Sequence, residues 1–141
     1  MAAMDGAWLV HVAAHGTFRA DSPLFSAIEL DDGPLTVYDL ERLKRAPYRV
    51  ILGSCSSGVG ATVGADELLG LVSALISLGS AGVVASVVPV NDAATVPLMI
   101  ALHDQLRRKA GLAEALTQAR HAAGSDSVAR STADSFIALG T

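Results

Sequence analysis

Three short apolar runs, Trp8 to Ala14, Tyr48 to Leu52 and Val83 to Val88, are separated by stretches with helical periodicity, and this alternation constrains the chain more than any other feature. Each run is too short for a helix and has few polar residues. Gly6 and Gly16 flank the first, Gly53 follows the second and Pro89 ends the third, which is the pattern of strands buried on both faces. Between the strands, Thr36 with Asp39 three residues on signals a helix start before Leu40 and Leu43. Asp66 to Leu78 is apolar around most of a helical circumference. Ala93 to Lys109 carries Val96, Met99, Ile100, His103 and Leu106 on one face, with Gly111 as its stop, and Leu112 to Ala123 makes another helix. Residues Thr17 to Asp32 read as a loop with a short hairpin strand at Ser26 to Leu30, closed by Asp32-Gly33-Pro34. Gly124 to Asp134 reads as a polar loop and Ser135 to Leu139 as a last strand. The expectation is an α/β fold: a mostly parallel sheet with helices on both faces, in one domain spanning residues 1–141.

Right-handed crossovers collect the strand exits of such a sheet on one edge, where ligands and reacting groups gather. His15, Cys55 and the pair Asn91-Asp92 each follow a predicted strand, so the topology draws them together. A free thiol is only a few per cent thiolate at neutral pH, so a nucleophilic Cys55 needs a base or a cation beside it, and His15 supplies one. The N–H groups of Cys55 and Gly16 are candidates to hold a carbonyl oxygen as it gains charge. The plainer reading of a lone cysteine is a small buried hydrophobe. Against that stands its setting, Gly53-Ser54-Cys55-Ser56-Ser57-Gly58, which is polar and flexible. Asp92 reads either as an acid lining a pocket that selects Lys or Arg, or as the N-cap of a helix starting at Ala93. Glu67 is either a pocket acid or a first-turn carboxylate favoured by the helix dipole. His103 reads as core-facing or structural, and neither His11 nor His121 is placed for catalysis.

Other classes fit less well. A net charge of -4 with ten scattered Lys and Arg residues argues against nucleic acid. No apolar run reaches the roughly 18 residues of a membrane span, and Met1 to Gly6 lacks the basic segment of a signal peptide, so a cytoplasmic protein is expected. One cysteine makes no internal disulfide, and no metal-ligand spacing stands out. Gly58-x-Gly60-x-x-x-Gly64 has its third glycine one place late for a dinucleotide fingerprint. An α/β-hydrolase elbow needs Gly where Ser57 stands, and its nucleophile precedes its His.

Three blocks carry a resemblance: His11-Val12-Ala13-Ala14-His15-Gly16, Gly53-Ser54-Cys55-Ser56-Ser57-Gly58, and Ser86 through Pro89 to Asn91-Asp92-Ala93-Ala94-Thr95. In order and spacing they resemble the CHAT family of caspase-like peptidases related to separase. The likeness extends through Leu35 to Leu40, Leu68 to Leu71 and Phe136 to Gly140. It implies a caspase-like three-layer sandwich, truncated at the N-terminus because family members usually carry strands before the His-bearing one. It also implies His15 as general base or thiolate partner, Cys55 as nucleophile on a peptide carbonyl, and no metal or organic cofactor. The implied partners are a protein or peptide substrate and a regulatory partner or N-terminal repeat region. The family more often has Ala before the cysteine and Glu-Thr after it, where this chain has Ser54, Ser56 and Ser57. The competing expectation is a catalytically silent, CHAT-like interaction module.

Overall fold

The three apolar runs become the parallel strands of the main sheet in a computed structural model of the chain. It describes residues 3–14, 16–17, 27–53, 65–124 and 126–141, with side chains omitted at 16–17 and 65–70. Strand β1 (Leu9–Val12) is followed by β2 (Gly16–Thr17), β3 (Ala27–Leu30), β4 (Gly33–Thr36), helix α1 (Val37–Leu40) and β5 (Arg49–Leu52). Next come α2 (Ala65–Ser77), β6 (Gly82–Ser86), α3 (Asp92–Arg107), α4 (Leu112–Ala122), α5 (Ser127–Asp134) and β7 (Phe136–Gly140). The main sheet has the order β1-β5-β6-β7. Its first three strands are parallel, and β7 pairs antiparallel with β6.

Both faces of the central strands are buried, which explains why they read as unbroken apolar runs. The two-residue period sends Val12, Val50, Leu52, Val83 and Ala85 into one cluster with Leu71, Val72 and Leu75 of α2 and with Val37 and Leu40 of α1. Ile51 and Val84 point the other way, among Leu98, Leu102 and Leu106 of α3, Leu112 and Leu116 of α4, and Phe136. Among the described residues no helix is long and apolar enough to cross a membrane.

A second, antiparallel sheet has the order β2-β3-β4. The expected hairpin strand is β3, and Asp31-Asp32 is the turn. Gly33 and Pro34, read from sequence as the closing turn, instead begin β4, where Gly33 opposes Leu30 and Pro34 opposes Glu29. Among the described residues β4 pairs only with β3, and a strand with one free side tolerates a residue that has no N–H. The Thr36 cap is present in full: its hydroxyl accepts from the Asp39 N–H at 3.2 Å and the Asp39 carboxylate accepts from the Thr36 N–H at 3.0 Å. The Thr36 hydroxyl also donates to the Asp39 carboxylate at 2.7 Å, and this bond first, then the one from the Thr36 N–H, holds the Asp39 pKa below the ordinary carboxylate value.

Two further expectations are corrected. Gly111 does not stop α3; Lys109 does, with φ 67°, and Gly111 is the N-cap of α4. Gly124 to Asp134 is not all loop, because α5 occupies Ser127–Asp134. The Asp126 carboxylate accepts from the N–H groups of Val128 and Ala129, each at 2.9 Å, while Arg120 donates to the Ala133 carbonyl at the far end. The buried stripe of α5 is Ala129, Thr132 and Ala133, too weakly apolar to register as a periodic signal. With so little apolar area, α5 depends on its ends. Asp126→Ala is expected to cost about 1 kcal/mol in urea denaturation, and an unchanged midpoint would show that the cap contributes nothing.

Candidate functional site

The parallel register of β1 on β5 sets the site. Val12 is the partner of Leu52, and the Gly53 N–H donates to the Val12 carbonyl at 3.0 Å, so the two chains leave the sheet side by side. Beyond these exits opens a cavity of about 800 Å³. Ala13, Ala14 and Gly53 line it from the strand exits, Glu29 and Asp31 from the hairpin, and Asp92, Thr95, Val96 and Met99 from the start of α3. Gly53 is fitted to its place, since a β-carbon there would lie 3.1 Å from Nε2 of His11.

His15 and Cys55 lie outside the described residues; each falls three positions past the paired residues Val12 and Leu52. Gly16 begins β2, opposite Ile28. Glu67 falls in the first turn of α2. Asp92 lines the cavity, exposed, as the first residue of α3. It is not the helix cap. Asn91 takes that role, its side-chain oxygen accepting from the Ala94 N–H at 2.9 Å, because it is the residue with extended backbone (ψ 119°) just before the helix. The Asn91 side chain is thereby engaged at the helix start and does not line the cavity that Asp92 lines.

Two histidines also belong to this cavity. His103 is not core-facing: its Nε2 stands 2.9 Å from Nδ1 of His11, with ring centroids 5.0 Å apart, and both rings line the cavity wall. The contact joins β1 to α3 across 92 residues of sequence. The available signal was positional. His11 alternates with Val10 and Val12 and so points to the α3 side of the sheet, and His103 shares a helical face with Val96 and Ile100. Among the described residues no three His, Cys, Asp or Glu side chains are grouped to hold a metal ion.

Partial burial, and then the charge of His103, lower the pKa of His11 from the ordinary histidine value. A proton therefore binds His11 more weakly in the folded chain than in the unfolded one. The stabilisation is complete above the unfolded value, about 6.5, and drains away as pH falls through it toward the folded value. His11→Gln is expected to flatten the fall in urea midpoint between about pH 7 and pH 5. Equal slopes for the variant and the wild type would contradict the assignment.

A family model for the CHAT domain matches residues 1–135. No curated protein matches the chain. The family match covers nearly the whole sequence and agrees with the mainly parallel α/β sheet, and on it the chain belongs to the CHAT domain family of caspase-like peptidases.

Proposed function

We propose that this domain is a cysteine endopeptidase working through His15 and Cys55, within a single caspase-like three-layer unit over residues 1–141. The observation that carries the reading is the Val12–Leu52 register: the two adjacent parallel strands end side by side at the cavity, and His15 and Cys55 each follow three positions later in the sequence. The CHAT match supports the same chemistry.

In this mechanism the His15 imidazole takes the thiol proton of Cys55, and the sulfur adds to the carbonyl carbon of a peptide bond. The N–H groups of Gly16 and Cys55 receive the oxygen that gains charge. The tetrahedral adduct collapses as His15 returns the proton to the departing amine, leaving a thioester. Water, losing a proton to His15, then hydrolyses the thioester and restores the thiol. Asp92, in the cavity, binds the substrate residue before the cut and favours Lys or Arg there, with Asn91 seating the turn that presents it. A cytoplasmic setting and a regulatory partner or repeat region complete the reading.

Cleavage of a peptide library by the wild type beside Cys55→Ala tests activity and specificity together. The expected result is cuts by the wild type alone, after basic residues. A wild type that cuts nothing while its thiol stays unreactive would favour the catalytically silent interaction module, and equal cutting by both would remove Cys55 from the mechanism.

A further inference from the structure

We propose that the His11–His103 hydrogen bond is a proton-operated latch between β1 and α3, and that the two histidines act as positioning residues for the candidate site. The His11 imidazole is engaged on two sides. Its Nδ1 meets Nε2 of His103 at 2.9 Å, and its Nε2 lies against Gly53, where a β-carbon would stand only 3.1 Å away. The carbonyl of the next residue, Val12, accepts the Gly53 N–H at 3.0 Å, so one ring couples α3 to the point where the chain leaves β5. Among the described residues this is the one hydrogen bond between β1 and α3. The other anchors of α3 lie elsewhere: Leu98, Leu102 and Leu106 are buried with Ile51, Val84 and the side chains of α4, and the helix packs on α4 and α5. Loss of the histidine contact therefore leaves α3 folded and seated, while its flank beside β1 gains freedom to shift.

A hydrogen bond between two imidazole nitrogens needs one donor and one acceptor. The ring centroids stand 5.0 Å apart, close to the most that a 2.9 Å contact permits, so the facing nitrogens point at each other. The neutral pair shares one proton along that line. A first added proton goes to the outer nitrogen of the donor ring, and the bond survives, strengthened by charge. A second must occupy the accepting nitrogen itself, and two N–H groups on two cations then face each other. The bond breaks at that step. Partial burial, and then the charge of His103, hold the His11 pKa below the ordinary histidine value, in line with a second proton that enters late. The surrounding carboxylates favour imidazolium without removing the clash. Glu29 and Asp31 of the hairpin and Asp92 of α3 line the same cavity, the exit of β5 presents only Gly53 there, and Asp104, next to His103, is already paired with Arg107 and Arg108.

The consequence for catalysis rests on the peptidase reading. Asp92 opens the same helix about three turns before His103, and a helix moves as one piece. With the latch closed, Asp92 keeps a fixed distance from the strand exits; with it open, that distance varies. Binding of a basic substrate residue then suffers more than the chemical step, so the opening raises KM more than it lowers kcat.

Nitrogen-15 NMR of histidine-labelled protein follows the latch without any substrate. Two of the four rings are expected to titrate as a coupled pair in two separated steps, and the amide signals of Ala94 and Thr95 at the start of α3 should shift with the lower step only. His103→Gln is the decisive variant. Its amide oxygen accepts from a protonated His11 and takes no proton of its own, so the lower step and the α3 shift should both vanish. His121→Gln, exposed at the end of α4, should leave them in place. Independent titration of all four rings, or an acid shift of α3 undiminished in His103→Gln, would overturn the latch. Peptide cleavage then reads its role at the site: KM of the wild type should rise at least about fivefold between about pH 7 and about pH 5 and stay flat in His103→Gln. Coupled titration in a wild type that cuts nothing supports the latch and removes only the peptidase reading. Cleavage with a KM equally acid-sensitive in both proteins would overturn the positioning role.

Discussion

Exchange of Cys55 for alanine is expected to lower kcat/KM toward a cleaved peptide by roughly 10⁴-fold or more, with the far-ultraviolet spectrum unchanged. The reason is chemical: alanine has no atom able to form the thioester, so the remaining interactions bind substrate without a covalent route. His15→Ala is expected to cost a similar factor, since a thiol without its base is mostly protonated at neutral pH. Residues that act as one unit give losses that do not add, so the double variant should be no slower than either single one. A double variant slower by the product of the two losses would mean that the residues work separately. Thiol labelling supplies a readout independent of substrate. In the wild type the rate should titrate below the ordinary thiol value of about 8.5, and in His15→Ala the midpoint should move upward. Identical labelling profiles would break the link between the two side chains.

What the sequence conveyed about fold and site follows the strength of each local signal. β5 and β6 were legible because burial on both faces leaves hardly a polar residue in them; β1 was legible from its apolar residues, although only Val12 of it is buried and His11 is exposed, so the expected burial on both faces does not hold there. The capped start of α1 was legible because Thr36 and Asp39 carry their own hydrogen-bonding chemistry. α5 was not, because its inner stripe is two alanines and a threonine and its cap, Asp126, lies in a run of Gly, Ser and Asp that also suits a loop. β4 was hidden by Pro34, a turn former that is harmless on a strand bonded, among the described residues, along one side. The edge where the cavity opens could be read from the order of strands and helices, as could the place of Asp92 in its lining. The His11–His103 contact could not, since it depends on how closely α3 packs on β1, and nothing local to either residue encodes that distance.

Phe136→Ala is expected to destabilise the chain by about 3–5 kcal/mol in urea denaturation, a large part of the stability of a domain this size. Phe136 is 0% exposed and belongs to the cluster between the sheet and helices α3 and α4. The neighbours there make the loss hard to recover. Ala115, Ala119, Ala123 and Ala133 have no side chain beyond Cβ to swing into the space, and their helices would have to move bodily to close it. Backbone ties resist that movement: Phe136 pairs with Ser86 across the β6–β7 ladder, and its carbonyl accepts from the Arg120 guanidinium, which also holds the end of α5. Phe136→Leu keeps most of the buried volume and should cost less than about 1.5 kcal/mol. The gap between the two variants is therefore the informative quantity. A wide gap means that the alanine-lined layer stays rigid around an empty space, whereas equal and small losses would show that α4 and α5 collapse onto the sheet and that their close packing does not depend on the ring.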